Sequence, residues 1–530
     1  MSPQSHWEAT NVPLLFVEAE TPRIHLVRRP GGGLRKAQGV VGDMFLMNTS
    51  TLAEITPLRH SDAWLKAELA EAPDSIRTSE LISALSYALD LTEGRSMGHS
   101  VRSCVIGMRL ARRMGMTVED QADLYYTLLL KDAGCSSNSS RLFHILNADE
   151  IRAKRDVKTT DWTKVGFESL QFAVTHVATN SPLPQRIWKL LQVAATQQQD
   201  SRELVKIRCE RGSFIAKKLA FSDAVAAGIH SLDEHWNGGG YPNHLREQEI
   251  PIFSRIANLS QTLEVFLGAR GPYAAIHAVQ ERSGRWFDPE LVRAAESLCA
   301  DQSLWEGLES KQLLQDVLTL EPVQQRLIAD QATIDNICLA FADIIDAKSP
   351  FTYQHSNGVA AAALDIAGHF GMSEADKKQL WRAALLHDIG KLSVPNDILE
   401  KPGKLTSEEW QVVRDHPYYT LQILKRVPAF KSFSSDAAAH HERLDGSGYW
   451  RNLAGEQLSL PARILSVADV FDALRAKRPY RDALPLEKVF AIMREESPRA
   501  LDLPCLEALI SSAYGHRLVE GETDTPGHSK

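Results

Sequence analysis

Apolar residues recur at helical spacing along most of the chain and predict a mainly α-helical protein. Ser373 and Asp376 form a Ser-x-x-Asp helix start, and apolar residues from Leu380 onward follow it on one helical face. Thr406 and Glu409 form a second helix start of this kind. The alternation of apolar and polar residues that is typical of strands is scarce after residue 75. We therefore expect helical bundles over most of the chain.

An internal repeat divides the chain into two copies of one helical unit. His99 and its neighbours recur at His355, 256 residues later, whereas the segment around Tyr241 recurs at Tyr449, 208 residues later. The two constant offsets differ by 48, which predicts an insertion of about that length in the first copy, within residues 135–208. Two tandem copies also explain a chain of 530 residues, which is too long for one ordinary core.

These patterns define five parts of the chain. The N-terminal part carries short predicted strands at 13–17 and 24–27, and its sequence indicates no role for it. The parts are an N-terminal segment (1–75), the first copy (76–300), a connecting helix (301–329), the second copy (330–515) and a disordered tail (516–530).

Composition and charge exclude several classes of protein. With 59 basic and 67 acidic residues the formal net charge is −8, which argues against general DNA or RNA binding. No apolar run approaches the roughly 18–20 residues that span a bilayer, and no signal peptide is recognisable at the start. The six cysteines are scattered, which argues against a disulfide scaffold or a thiolate zinc site. We expect a cytoplasmic protein that does not bind membranes.

In the second copy, side chains of metal-ligating types lie where apolar residues are expected. His387 and Asp388 end one apolar stretch, Asp469 lies inside another, and His416 is predicted to end the helix that begins at Thr406. A buried carboxylate without a partner costs several kcal/mol, and imidazoles and carboxylates on successive helices compensate one another best around divalent metals. Mixed nitrogen and oxygen ligands favour Fe, Mn, Zn or Ni. Each of these residues alone is also typical of an ordinary core or surface, so the interpretation depends on the combination.

The segments that contain these residues resemble the HD-GYP branch of the HD phosphohydrolases, over nearly the whole second copy. They are His387-Asp388-Ile389-Gly390-Lys391, Lys401-Pro402-Gly403-Lys404-Leu405-Thr406, His416-Pro417, His440-His441-Glu442, Asp445-Gly446-Ser447-Gly448-Tyr449, Ala468-Asp469-Val470-Phe471-Asp472-Ala473-Leu474 and Arg478-Pro479-Tyr480-Arg481. The resemblance implies a mainly α fold, with two HD-type helical bundle domains in tandem after the strand-containing N-terminal segment. It also implies a metal centre that acts on cyclic di-GMP.

The resemblance further implies a set of metal ligands and two bound ions. Asp388 would bridge the ions, which would be Fe or Mn, with Zn or Ni as alternatives. Phe351 stands where three-metal members of the family have a glutamate, which favours two metals. The implied ligands are His355, His387, Asp388, His416, His440, His441 and Asp469.

Residues for catalysis and substrate binding follow from the same resemblance. Asp388 and Lys391 would be catalytic, and Lys391 would neutralise phosphate charge or help the leaving oxygen depart. Trp450 replaces the proline of the family's Gly-Tyr-Pro signature. The residues predicted to bind substrate are Arg478, Arg481, Gly448 and Tyr449.

The first copy has lost most of the ligand pattern. Lys131 and Arg208 stand at the positions that match His387 and His416. Two cationic side chains cannot coordinate a dication, so we expect a catalytically inactive domain with a structural or regulatory role. The alternative is that Lys131 and Arg208 convert the old pocket into an anion or nucleotide sensor.

The sequence therefore predicts a metal-dependent phosphodiesterase that hydrolyses cyclic di-GMP to the linear dinucleotide, to GMP or to both. Protein partners in cyclic-dinucleotide signalling are compatible with this function. Two alternatives remain: a weakly active cyclic-dinucleotide receptor or interaction protein, and an HD phosphohydrolase that acts on another nucleotide.

Overall fold

The prediction of a mainly α-helical protein is confirmed. A computed structural model describes residues 76–161, 167–179, 181–477 and 482–519. In this part of the chain the one sheet has two short antiparallel strands, β1 (Ile76–Arg77) and β2 (Ile328–Ala329). This sheet joins the start of the first copy to the end of the connecting segment, directly before the second copy. The strands predicted at 13–17 and 24–27 lie outside the described residues.

The first copy is a helical bundle in which α2 packs against α3 and α9. Its core consists of buried aliphatic side chains such as Leu81, Leu85, Ile106 and Leu129, all at most 1% exposed. Its helices are α1 (Thr78–Thr92), α2 (His99–Arg113), α3 (Val118–Leu130), α4 (Ser139–Leu146), α5 (Glu150–Val157), α6 (Phe167–His176), α7 (Leu183–Lys218), α8 (Asp223–His230), α9 (Ile252–Arg270), α10 (Pro272–Glu281) and α11 (Pro289–Cys299).

The predicted insertion of about 48 residues lies within the segment that contains α4, α5, α6 and the first two-thirds of α7, whereas the matching segment of the second copy contains only α17 and α18. Its limits follow from a close backbone approach that both copies share. In the first copy Gly134 lies against the carbonyl group of Arg208, and in the second Gly390 lies against the carbonyl group of His416 in the same way. Everything between Gly134 and Arg208 that has no counterpart in the second copy therefore belongs to the insertion.

The prediction of one connecting helix over 301–329 is wrong. The segment forms α12 (Gln302–Leu308), α13 (Leu313–Leu318) and a 3₁₀ turn, Val323–Gln325. Pro322 has no N–H group to continue a helix. Glu321 next to it is buried and accepts hydrogen bonds from Ser79 (2.6 Å) and Tyr126 (2.7 Å), so the segment folds back onto the first copy.

The second copy repeats the bundle, with α15 packed against α16 and α21. Ser373 and Thr406 cap α16 and α18 as predicted, and Thr406 forms a capping box with Glu409. The helices are α14 (Gln331–Asp346), α15 (His355–His369), α16 (Glu374–Leu386), α17 (Asn396–Leu399), α18 (Ser407–Arg414), α19 (His416–Leu424), α20 (Lys431–Ala437), α21 (Leu460–Arg475), α22 (Leu486–Glu496) and α23 (Leu503–Val519).

Two predicted boundaries in the second copy need correction. His416 does not end the helix that Thr406 begins but starts the next one, because Pro417 takes a first-turn position where its missing N–H group costs nothing. The predicted tail at 516–530 begins too early, since α23 continues to Val519.

Two expectations from composition can be compared with the described residues. No helix among them has the length and apolar character to cross a membrane. All six cysteines are buried and none forms a disulfide.

Candidate metal centre

The seven predicted ligands converge in the interior of the second bundle, and all are buried. Three of them lie on the helices α15, α19 and α21, and the other four follow the ends of α16 and α20. Their donor atoms form two groups, each with all atoms within 4.8 Å of one another. One group is Asp388, His416, His440 and His441, and the other is His355, His387 and Asp469.

Asp388 lies between the two groups. Its Oδ1 atom is 3.4 Å from the Nε2 atoms of both His416 and His440. Its Oδ2 atom is 3.3 Å from Nε2 of His387 and 3.6 Å from Nε2 of His355. Each carboxylate oxygen therefore faces a different set of imidazoles, which is the arrangement of a bridging ligand.

Asp469 makes a second connection between the groups. Its Oδ1 atom is 3.2 Å from Nε2 of His355, and its Oδ2 atom is 3.7 Å from Nδ1 of His441. The residue lies in the middle of α21, where its neighbours Val467, Ala468 and Val470 are buried apolar residues. The helix thus holds a carboxylate in an otherwise apolar interior.

Helix ends orient three of the imidazoles. The last carbonyl groups of a helix have no partner within the helix, and a histidine just beyond the end can donate to one of them. In each case Nδ1 donates to the carbonyl oxygen three residues earlier, which leaves Nε2 directed at the centre. The bonds are His387 to Ala384 (2.7 Å), His416 to Val413 (2.5 Å) and His440 to Ala437 (2.6 Å).

His355 is oriented by a carboxylate that the sequence pattern did not single out. The Nδ1 atom of His355 is 2.7 Å from Oδ2 of Asp472. Asp472 follows Asp469 by three residues on α21, so the two side chains share one helical face. That spacing was the available signal. Gly358 makes room for Asp472, because a methyl group on Gly358 would overlap Oδ1 of that carboxylate.

The protonation states suit metal binding. Burial lowers the pKa of His416 to about 4 and lowers the pKa of His440 as well, so both imidazoles are neutral at pH 7. Burial opposes charge on Asp388, but His387 and Lys391 outweigh it and hold the pKa of Asp388 well below its usual range. The centre therefore combines the neutral imidazoles of His416 and His440 with an ionised carboxylate. Burial opposes charge on His355 as well, but the carboxylates of Asp388 and Asp469 outweigh it and raise the pKa of this imidazole well above its usual value.

Several buried donor atoms in the centre have no hydrogen-bond partner among the described residues. They are Nε2 of His355, Nε2 of His387, Oδ1 of Asp388 and both ring nitrogens of His441. Buried polar atoms are normally satisfied, and orphaned ones indicate an unmet ligand or a functional role. This mixed nitrogen and oxygen donor set fits transition-metal ions.

Lys391 and the Gly448–Tyr449 loop border the centre. The Nζ atom of Lys391 is 2.5 Å from Oδ2 of Asp388. Gly448 lies so close to the backbone of His441, Glu442 and Arg443 that no side chain fits there. Tyr449 is buried, with its ring 4.8 Å from the ring of His441. Gly448 and Tyr449 thus pack against the turn that contains His440 and His441.

Arg478 and Arg481, the other residues predicted to bind substrate, lie outside the described residues.

In the first copy, cationic side chains fill the matching interior. The Nζ atom of Lys131 is 3.1 Å from Nε2 of His99 and contacts Asp132. Lys158, next to the C-terminal end of α5, is 2.7 Å from Glu93 and 3.5 Å from Asp132. Glu93, Asp132 and Cys135 lie close enough to share an ion, but lysines already neutralise both carboxylates.

The anion-sensor alternative finds no support in these contacts. Lys131 is paired with Asp132, and Arg208 is paired with Asp233. Neither cation is left to attract an external anion.

The helical bundle and its cluster of histidines and aspartates define a class of protein. The HD domain family matches residues 139–291 and 340–503, one segment in each copy. The chain belongs to this family of metal-dependent phosphohydrolases, and to its HD-GYP branch. The resemblance in the second copy is thereby confirmed.

Particular relatives share more than the domain. The chain is 43% identical over 441 residues to the 3'3'-cGAMP-specific phosphodiesterase 3 of Vibrio cholerae. The aligned residues make up 83% of this chain and 95% of that protein. A crystal structure of a cyclic GMP-AMP specific phosphodiesterase from V. cholerae (V-cGAP3) aligns over 83% of this chain and 98% of its own, with 40% identity and a TM-score of 0.59. The cyclic di-GMP phosphodiesterase response regulator RpfG of Xanthomonas campestris is 35% identical over 208 residues, 38% of this chain and 54% of that protein.

Proposed function

We propose that the second domain hydrolyses a phosphodiester bond of a cyclic dinucleotide at a centre of two divalent metal ions. The observation that carries this proposal is Asp388, whose two oxygens face separate groups of ligands. The ligands are the seven residues His355, His387, Asp388, His416, His440, His441 and Asp469.

The chain's own residues would assist the reaction around those ions. A pair of divalent ions supplies Lewis-acid stabilisation and lowers the pKa of water. Lys391, next to Asp388, places a positive charge where the charge on phosphate increases during the reaction. The ring of Tyr449 shields the His441 side of the centre from bulk water, which strengthens electrostatic interactions inside it.

We assign iron or manganese as the metals, with zinc or nickel as alternatives. Five imidazoles and two carboxylates, without thiolate, form a donor set of intermediate softness. Such sets favour first-row transition metals over the harder Mg²⁺ and Ca²⁺ ions.

Cyclic GMP-AMP is the substrate we favour over the expected cyclic di-GMP. The relative that matches along both copies is named as specific for 3'3'-cGAMP. The cyclic di-GMP phosphodiesterase of X. campestris matches 38% of this chain. The two molecules share the phosphodiester ring and differ in one base, so the same metal centre suits both.

Hydrolysis of both compounds by one preparation tests the proposal. Full-length protein loaded with Mn²⁺ or Fe²⁺ is incubated with each cyclic dinucleotide, and the products are separated by chromatography. We expect a linear dinucleotide, mononucleotides or both, with faster turnover of cyclic GMP-AMP. A His387→Ala/Asp388→Ala double variant serves as the inactive control.

Three outcomes would change the proposal. Faster turnover of cyclic di-GMP would restore the original substrate prediction. Tight binding without turnover under any metal would indicate a receptor. Equal product formation by the double variant would exclude the metal centre as the site of reaction.

A further inference from the structure

A buried ion pair joins the insertion of the first domain to the second domain. Glu150, the first residue of α5, has a fully buried side chain, and its Oε1 atom is 3.2 Å from Nζ of Lys348. Lys348 precedes α15 and is 2% exposed. Removing two charges from water is costly, so a buried pair persists only with good geometry and further hydrogen bonds.

The further hydrogen bonds come from a second segment of the second domain. The other oxygen of Glu150 accepts from the backbone N–H of Asn396, at 2.9 Å. The Asn396 side chain donates to the carbonyl oxygen of Lys348 (2.8 Å) and to Glu400 (2.7 Å). Ser140 on α4 donates to the same Glu400 at 3.1 Å. One carboxylate of the insertion thus connects two separate segments of the second domain.

Both segments lead directly into the metal centre. The loop that contains Lys348 ends at His355, the first residue of α15, and Asp346 at its other end accepts hydrogen bonds from the backbone and hydroxyl of Ser356. Asn396 begins α17, directly after the 3₁₀ turn that carries Lys391. A shift of Lys348 or Asn396 would therefore move residues at two sides of the centre.

The same helix reaches the filled interior of the first domain. Lys154, one helical turn after Glu150, donates to the carbonyl oxygen of Cys135 (2.5 Å) and to Ser139 (2.9 Å). Lys158, one turn further, is paired with Glu93 and Asp132. Cations at spacing i+4 and i+8 thus fix α5 in the inactive domain, while Glu150 at position i extends to the active one.

We infer that Glu150 is a positioning residue for the metal centre of the second domain, through Lys348 and Asn396. This inference rests on the proposed function. Lys154 and Lys158 hold α5 against the interior of the first domain. Through Glu150, α5 in turn holds the loop before His355 and the segment after the turn of Lys391 in place.

Full-length variants test the inference with two readouts. In Glu150→Gln, Lys348 loses its ionic partner, and we expect kcat to fall about tenfold or more with KM within about twofold, because the affected segments carry metal ligands and Lys391. We also expect weaker Mn²⁺ binding, measured by titration and electron paramagnetic resonance. Bis(p-nitrophenyl) phosphate serves as a second substrate, so the result does not depend on which cyclic dinucleotide is correct.

Glu203→Gln is the matched control. It removes an ion pair with Arg141 within the same insertion, at 2.7 Å but with both side chains about two-fifths exposed. Its kcat, KM and Mn²⁺ affinity should equal those of the unaltered protein. Thermal unfolding followed by circular dichroism shows at which temperature each variant is fully folded, and the assays are run below it.

The outcomes separate the two proposals. If the unaltered protein hydrolyses neither type of substrate, the proposed function fails. If it is active and folded Glu150→Gln has the same kcat and Mn²⁺ affinity, or changes in KM alone, the positioning role is wrong. Should Glu150→Gln not fold, the Glu150→Ala/Lys348→Met variant, which buries no lone charge, must show the same loss of kcat and Mn²⁺ affinity.

Discussion

Asp388 connects the two groups of candidate ligands, because one of its oxygens faces His387 and the other faces His416. Asp388→Asn keeps the size of the side chain but removes its charge and one acceptor oxygen. We expect the binding of both ions to be weakened or lost. Activity should fall by more than the roughly 100-fold that substitution of a residue behind a ligand costs. Metal content by elemental analysis and turnover of a cyclic dinucleotide check this.

Asp132→Asn is the control for Asp388, since it changes the matched aspartate of the first domain. It should lower thermal stability, because Lys131 and Lys158 lose a buried partner, and leave metal content unchanged. Full metal content in Asp388→Asn would contradict the bridging role.

Asp472 acts on the centre through His355, and its effect should be smaller. Asp472→Asn weakens the hydrogen bond that orients Nδ1 of His355. Loss of such an outer-shell partner typically costs 10–100-fold in metal affinity or activity. Metal titration of the variant measures the loss. Glu264→Gln changes the matched carboxylate beside His99 in the first domain and should leave metal affinity unaltered.

At the residue scale the sequence was sufficient to predict which side chains meet in the interior, but not which groups orient them. All seven predicted ligands meet in one interior, because histidine and aspartate within apolar stretches are costly to bury unless a metal or another polar group compensates them. Asp472 was missed although its spacing of three residues from Asp469 was a signal, and Glu150 was missed because a carboxylate that binds a lysine looks in sequence like any surface acid. Their roles depend on tertiary contacts over 117 and 198 residues.

At the scale of elements, the ends of helices shape the centre. His387, His416 and His440 each lie just beyond a helix end and donate to one of its last carbonyl groups. Helix starts were predictable because Ser373 and Thr406 satisfy the first N–H groups by local bonds. The division of the segment 301–329 into two helices and a turn was not predictable from local sequence, because it depends on the buried contacts of Glu321 with the first domain.

The contact between the turn after Asp388 and α19 gives a test at this scale. Gly390 lies against the carbonyl group of His416, so Gly390→Ala forces the turn away from the helix that begins with that histidine. Overpacking of this kind costs about 1–3 kcal/mol. We expect a lower unfolding temperature by circular dichroism together with reduced metal affinity.

Gly403→Ala is the comparison for Gly390→Ala, because a methyl group there meets nothing within 4 Å. Gly403 has no positive φ angle and lies in a turn before α18. Its unfolding temperature and metal affinity should match those of the unaltered protein. Equal stability of the two variants would show that the close approach at Gly390 is relaxed in solution.

At the scale of the whole molecule, the two domains share a fold but differ in which side chains stabilise the negative charge of their buried carboxylates. In the second domain Asp388 is surrounded by the imidazole nitrogens of four histidines and by the single ammonium group of Lys391. In the first, Asp132 is surrounded by the ammonium groups of Lys131 and Lys158. The net charge of −8 describes neither interior, since a whole-chain sum does not resolve local pairs.

This difference predicts the metal content of the full-length protein. We expect about two ions per chain after anaerobic purification, one for each ligand group of the second domain. Lys131→Ala should leave that number unchanged, because His99 and Asp132 alone do not form a site and Lys158 still neutralises the carboxylate. The variant should unfold at a lower temperature, since a buried carboxylate loses one of its cations. Elemental analysis that finds four ions per chain would show that the first domain retains a metal site. A third ion in Lys131→Ala would show that Lys131 alone keeps a metal ion out of the first domain.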